Sequence, residues 1–303
     1  MPGSATPVSH GGSRLRGLAH LLVVYVVWSS TYLAIRLAVR PGAGFPPFTL
    51  GALRCLCAAP LLLAWAVLRG ARVRPSRAEL GTLALSGTLL WVFGNGFVVF
   101  AEQRAESALS ALILSSTPIW VALLESAADR RWPGRRLSLA LLVGFSGAAL
   151  LSYPALRDGI RADATSIVVL LVAALSWGGG SLYQRRRQLG LDPVVSSGYQ
   201  QLAGGCGMAV LALATREPLP TPTPLAWGGF FFLLVFGSLL AFTSFLLALR
   251  LLPTRVVFTY AYVNPVLAVL LGWAVLGEQV DAWTVGGAAL VLAGVAGVFR
   301  SAR

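Results

Sequence analysis

The feature that most limits what this chain can become is a succession of apolar runs, each about long enough to cross a bilayer. They fall near residues 18–38, 47–68, 79–101, 107–127, 137–154, 165–184, 194–214, 226–249, 255–276 and 282–299, separated by Arg, Pro or Gly. A spanning helix needs about 20 mostly apolar residues. Within lipid, where no water can bond to an open backbone group, runs of this length are satisfied as helices. The expected fold is therefore an all-α polytopic membrane protein with ten transmembrane helices. Composition agrees: 56% of the 303 residues are hydrophobic and 12% are charged, far from the balance of a soluble globular domain.

All 24 basic residues are arginine, and the net charge is +13. Such a charge invites a nucleic-acid partner, but the arginines sit in small clusters between the apolar runs, which is a topology signal rather than a binding patch. Assigning alternate loops to the two sides gives 17 arginines on one side and 6 on the other, with Arg54 inside a run. This bias places both termini in the cytoplasm and favours an even number of spans. Arg14 and Arg16 precede the first run, but the run is longer than a signal core and lacks a small-x-small end, so it is read as a retained span. Cys55, Cys57 and Cys206 lie inside apolar runs, and His10 and His20 are the two histidines. That pattern offers neither a disulfide framework nor a His-rich metal site, and no cofactor is expected.

A shift of 147 residues lays the fourth run on the ninth without a gap, placing Pro118 on Pro265, Leu123 and Leu124 on Leu270 and Leu271, and Gly147 on Gly294. Ala101 then meets Ala248 and Gly51 meets Gly198, while Trp28 meets Trp177 after a two-residue adjustment. The expected organisation is a cytoplasmic tail (1–16), a first five-helix repeat (17–155) and a second (164–300). Five spans per repeat is an odd number, so the halves take opposite orientations, the arrangement of many secondary transporters with a site near the midplane where the repeats meet.

Polar residues inside these runs carry the functional reading. Pro118 has no N–H for the carbonyl of Leu114, and Pro265 none for that of Ala261, so a helix break is expected at each. Ser115, Ser116 and Thr117 in one repeat, and Tyr260, Tyr262 and Asn264 in the other, are the groups available to line or brace those openings. Trp28 and Trp177 each lie about 15 Å into their runs at 1.5 Å per residue, away from the interfacial belts where tryptophan is usual. They are followed by Ser29-Ser30-Thr31 and Gly178-Gly179-Gly180, so each is a candidate aromatic wall beside a thin helix, or a gap-filler at a small-residue crossing. The candidate substrate-binding residues are Trp28, Ser29, Thr31, Asn95, Ser116, Trp177, Tyr183, Tyr260 and Asn264. Arg54 and Glu102 are expected to form a charge pair, structural or serving proton coupling with Glu102 as the switch. Gln200, Gln201, Thr243 and Ser244 are expected to hydrogen-bond between helices, and Glu125, Glu278 and Asp281 to be solvated ends.

The segments VVWSSTYLAIRLAV, ALRCLCAA, GNGFVVFAEQ and TYAYVNPVLAVLLG resemble the EamA-domain exporters of the drug/metabolite transporter superfamily, most of all its YedA-type subgroup. The resemblance spans nearly the whole chain. It implies ten helices in an inverted five-plus-five arrangement, a central cavity, and efflux of amino acids, metabolites or drugs. Trp28, Arg54, Asn95, Glu102, Trp177, Tyr262, Asn264 and Pro265 match family motif positions. The family's LGE is present at Leu276-Gly277-Glu278, whereas the first half reads LESAADRRWPG.

The function expected is secondary active export of small metabolites, amino acids or drugs by alternating access, with proton coupling one of the two roles open to Glu102. Uptake or exchange is the alternative. A phosphorylated substrate is disfavoured because Arg54 is the single deep cation. An intramembrane enzyme is disfavoured because no run carries HExxH, GxSxG or a carboxylate dyad. The expected partners are a small molecule, the lipid bilayer and a proton. Nucleic acid is excluded, and the oligomeric state is left open.

Overall fold

The computed structural model describes residues 10–40, 42–104, 107–157, 164–276 and 281–302. Residues 1–9 of the tail, and Gly277 and Glu278 of the LGE motif, lie outside the described residues. The first half runs through α1 (His10–Val39), α2 (Pro47–Leu68), α3 (Arg77–Gly87), a π-helical segment (Thr88–Gly96), α4 (Phe97–Ala101), α5 (Ser107–Leu114), α6 (Thr117–Asp129) and α7 (Arg135–Arg157). The second runs through α8 (Ala164–Arg187), α9 (Pro193–Ala214), α10 (Pro224–Phe232), a π-helical segment (Leu233–Ala241), α11 (Phe242–Leu251), α12 (Thr254–Val257), α13 (Tyr260–Leu276) and α14 (Ala282–Ser301). No strand occurs among the described residues.

Among the described residues, 9 helical stretches are long and apolar enough to cross a membrane. The expected ten spans are thus nine by this measure. The run that falls short is α9, a helix of 22 residues made more polar than the rest by Tyr199, Gln200 and Gln201. These glutamines are buried against other helices. Gln200 Nε2 donates to Ser86 Oγ (2.7 Å) and Gln184 Oε1 (2.6 Å), and Gln201 Nε2 to Ser197 Oγ and the Ser238 carbonyl (3.1 Å each). Ser244 meets His20 (3.3 Å) and Thr243 meets Ser197 (3.3 Å), the inter-helix role expected for that group.

Helix starts are set by local chemistry. Ser76 and Glu79 form a reciprocal capping box on α3, and Asp192, Thr223 and Asp281 cap α9, α10 and α14 through their side chains, each satisfying an N–H that the helix leaves open. At α2 the cap comes from far along the chain. Glu217 accepts from the Phe48 and Thr49 amides (2.9 and 2.7 Å) and from Thr49 Oγ1 (2.7 Å).

The packing crosses between halves in a reciprocal way. Helix α1 lies along α10, its π-helical continuation, α11 and α13, and α8 lies along α3, its π-helical continuation, α4 and α6. The first helix of each half is thus seated on the third and fourth spans of the other. Helices α2 and α9 pair with each other, as do α7 and α14. The α7–α14 crossing is tight because a methyl group at Gly294 would lie 2.5 Å from the Gly144 backbone, and one at Gly147 2.5 Å from the Val291 amide, the small-residue contact that lets membrane helices touch. Large apolar side chains such as Leu61, Trp65, Leu139, Val168, Phe231 and Leu292 face outward, as a lipid-covered surface allows.

Candidate functional site

Both prolines open carbonyls, and side chains close them. The Leu114 carbonyl, deprived of a donor by Pro118, accepts from Thr117 Oγ1 at 2.6 Å, and the chain breaks there between α5 and α6. The Ala261 carbonyl, deprived by Pro265, lies 3.2 Å from Ser115 Oγ of the other half. That hydroxyl also points at Ala111 O (2.7 Å), so one proton serves two acceptors. The break expected at Pro265 is corrected: α13 runs through this proline, and the interruption falls at Phe258–Thr259. The reason is local, since Thr259 Oγ1 turns back to Val256 O (2.5 Å) and bonds Tyr25 of α1 (2.6 Å).

Between these elements lies a cavity with about 770 Å³ of empty space, including the part open to the outside. Its aromatic side is built by Trp28, Trp177 and Tyr260. The Trp28 ring stands edge-on to Trp177 (centroids 5.4 Å apart) and to Tyr260 (4.9 Å). The two tryptophans, one from the first helix of each half, therefore meet in space. Gly94 makes room for this: a methyl group there would come within 2.9 Å of the Trp177 ring. The neighbouring glycines answer to packing, Gly178 facing Val121 and Gly180 facing Leu89.

The polar side is made by Thr31, Asn95 and Asn264 with Arg54 and Tyr32. The Oδ1 atoms of Asn95 and Asn264 are closed off from solvent and have no hydrogen-bond partner among the described residues. Arg54 is 4% exposed. Its Nε donates to Ser238 Oγ at 2.7 Å, and its guanidinium lies 4.9 Å from the centre of the Trp91 ring, a cation–π contact.

Six of the candidates read from sequence, Trp28, Thr31, Asn95, Trp177, Tyr260 and Asn264, line this cavity. Three do not. Ser29 Oγ bonds back to Val26 O (2.8 Å). Ser116 Oγ bonds to Ile113 O (2.6 Å) and accepts from Trp120 Nε1 (3.0 Å). Tyr183 lies under the Arg187 guanidinium, 5.2 Å away, at the end of α8. Tyr262 is a brace as well, its hydroxyl donating to Leu141 O at 2.9 Å. Tyr32 and Trp91 were not among the candidates, although each is three to seven residues from other lining positions, the spacing of one helix face.

The expected pair of Arg54 with Glu102 is also corrected, since no ion pair joins them among the described residues. Arg54 is held a third of the way along α2 by Ser238 and Trp91, whereas Glu102 follows the last residue of α4. The charge that acts on Glu102 is Arg36 of α1. Glu102 Oε1 is buried without a partner among the described residues, and burial pushes the carboxyl above the usual carboxylate range while Arg36 opposes that shift. Arg36 lies on α1 one residue beyond Ile35, which lines the cavity with Tyr32, so one helix borders both places.

The sequence profile of the EamA-like transporter family matches residues 15–153 and 164–300. The uncharacterized inner membrane transporter YedA of Escherichia coli K12 is 30% identical over 266 residues, covering 86% of this chain and 83% of its own. An uncharacterized transporter of Synechocystis is 24% identical, covering 90% and 86%, and a chloroplastic WAT1-related protein of Arabidopsis thaliana is 23% identical, covering 91% and 67%. A solved crystal structure at 21% identity superimposes with a TM-score of 0.75 over 97% of this chain and 98% of its own, which shows the fold. With a family match over both halves, the chain is a multi-pass membrane transporter and belongs to the EamA-like transporter family.

Proposed function

We propose that the protein is a secondary active exporter of small organic solutes, working by alternating access across a bacterial inner membrane with both termini in the cytoplasm. In this reading α9 is also a span, the seventh in order, which brings the total to ten, and the two five-helix repeats, 17–155 and 164–300, are inverted relative to each other. The observation that carries the proposal is the reciprocal packing around the cavity: α1 on the spans that break at Phe258–Thr259, α8 on those that break at Ser115–Ser116, with Trp28 and Trp177 meeting between them. A rocking motion that exchanges these two equivalent sets of contacts opens the cavity to one side and then the other. The matching π-helical segments of nine residues, Thr88–Gly96 and Leu233–Ala241, support it, since such segments recur at functional sites in helices.

Proton coupling through Glu102 is part of the proposal. The carboxyl has a buried oxygen with no partner among the described residues, and the cation acting on it, Arg36, is on α1, the helix whose Tyr32 and Ile35 line the cavity.

The test is the extracellular metabolite profile of bacteria expressing the wild type, the Trp28→Ala variant or an empty vector. A defined set of compounds accumulating outside with the wild type alone, at equal membrane expression, is the expected result. Depletion of the same compounds from the medium would make the protein an importer and overturn the direction.

A further inference from the structure

Resting on the transporter reading of this cavity, we infer that the solute it takes is a small organic monocarboxylate with an apolar or aromatic body, and that Arg54 is the group that receives the carboxylate. The argument begins with charge. Among the described residues that line the cavity, Arg54 is the single formally charged side chain. It is buried, no carboxylate pairs with it, and beyond the Nε bond to Ser238 its two terminal nitrogens have no protein acceptor among the described residues. An unpaired buried charge is one of the more expensive features a fold can carry. A ligand that brings a negative charge removes that cost when it binds.

Geometry narrows the class. With Nε occupied by Ser238 and one face of the guanidinium lying over Trp91, the free donors are the two terminal nitrogens, a fork that matches the two oxygens of one carboxylate. One guanidinium balances one negative charge, so dianionic phosphates are left undercompensated, and amines meet a like charge. The same cavity is lined by Trp28, Trp177 and Tyr260, whose rings suit an apolar body. The carboxamides of Asn264 and Asn95, each with an oxygen lacking a donor, suit a hydrogen-bonding substituent on that body.

The test uses the purified full-length protein in lipid nanodiscs and three probes of one shape: 3-phenylpropionate, 3-phenylpropanamide and 3-phenylpropylamine. Binding is read from tryptophan fluorescence and from the shift in thermal midpoint. The carboxylate should bind at least about tenfold more tightly than the amide or the amine, the size of one charge-assisted contact. Arg54→Gln should abolish that preference while keeping the affinity for the amide, and Arg54→Lys should retain part of it. Without ligand, Arg54→Gln should melt no lower than the wild type, because a buried charge has been removed.

Equal binding of the three probes by the wild type, a preference that survives Arg54→Gln, or no binding of the carboxylate overturns the inference. Should Arg54→Gln fail to fold, the wild-type preference and the Arg54→Lys variant still decide. Export of neutral or cationic compounds in the metabolite profile would overturn this inference and leave the transporter reading standing. Carboxylate binding with no exported compound would do the reverse.

Discussion

Gly94→Ala is the smallest change that tests how the cavity is held in shape. The added methyl would lie 2.9 Å from Trp177 Cε3 and 3.1 Å from the Leu89 carbonyl oxygen. Carbon atoms in contact settle near 3.5–4.0 Å, so the indole must withdraw by about 0.6 Å or more. The Trp28, Phe245 and Phe242 rings stand 5.4, 5.6 and 6.3 Å from it, so the space left to it is the cavity it lines. Overpacking of this kind costs about 1–3 kcal/mol. Gly81 in α3 supplies the control: a methyl there meets nothing within 4 Å, so Gly81→Ala gains about 1 kcal/mol of helix propensity. Thermal midpoints in detergent should therefore separate the two variants in opposite directions from the wild type. Export should fall in Gly94→Ala because the displaced indole narrows the space beside Trp28. If Gly94→Ala melts together with Gly81→Ala and exports at the wild-type rate, the Trp177 wall is not set by that backbone contact, and the account of the site is wrong.

Ser115→Ala removes the hydroxyl that reaches the Ala261 carbonyl at 3.2 Å, and a buried acceptor left open costs about 1–3 kcal/mol; a lowered thermal midpoint is expected, and an unchanged one would mean that α13 tolerates Pro265 unaided. Glu217→Ala frees two amides of α2 and the Thr49 hydroxyl and should destabilise by about 0.5–2 kcal/mol, the range for a lost N-cap, measured in the same melt against Glu217→Gln. Glu102→Gln mimics the protonated carboxyl permanently. Because burial raises this pKa, the wild-type group holds its proton to a higher pH than a free carboxyl and releases it as pH rises. Export in proteoliposomes should then depend on pH above the ordinary carboxylate range in the wild type and lose that dependence in the variant; identical profiles would remove Glu102 from the coupling step.

Much of this was legible because lipid makes sequence rules strict. The prolines marked which carbonyls lacked donors, and both found hydroxyls among the three residues nearest one of them, Thr117 and Ser115. The 147-residue register, with a two-residue adjustment, paired Trp28 and Trp177 as equivalent positions of the two repeats, and in the fold the two rings touch. What did not carry through was the direction of individual side chains. Trp28, Thr31, Tyr32 and Ile35 line the cavity, a 0, 3, 4, 7 stripe on one face of α1, and Ser29 sits about 100° from Trp28 on that helix, so it bonds within its own turn instead. Tyr183, six residues from Trp177, is carried about 240° round α8 by the same geometry. Applying the stripe would have added Tyr32 and removed both. The π-helical segments and the capture of Arg54 by Ser238 depend on how spans from different halves meet, and local propensity carries no sign of either.

The stretch TYAYVNP shows how a polar span is made tolerable. Its polar groups go to separate destinations. Tyr260 and Asn264, four residues apart on one face, border the cavity. Tyr262 turns to the Leu141 carbonyl, Thr259 bonds Tyr25, and the carbonyl that Pro265 leaves open is reached by Ser115. None of these groups is left to lipid, as expected where each intramembrane polar group is costly unless it is paired or bordered by a cavity. Tyr260, Ala261 and Asn264 of this stretch line the cavity, while Thr259 and Tyr262 brace it, so lining and bracing residues alternate along the chain. It follows that changes at Tyr262 or Ser115 should act on export through stability, whereas changes at Tyr260 or Asn264 should alter which solutes are exported.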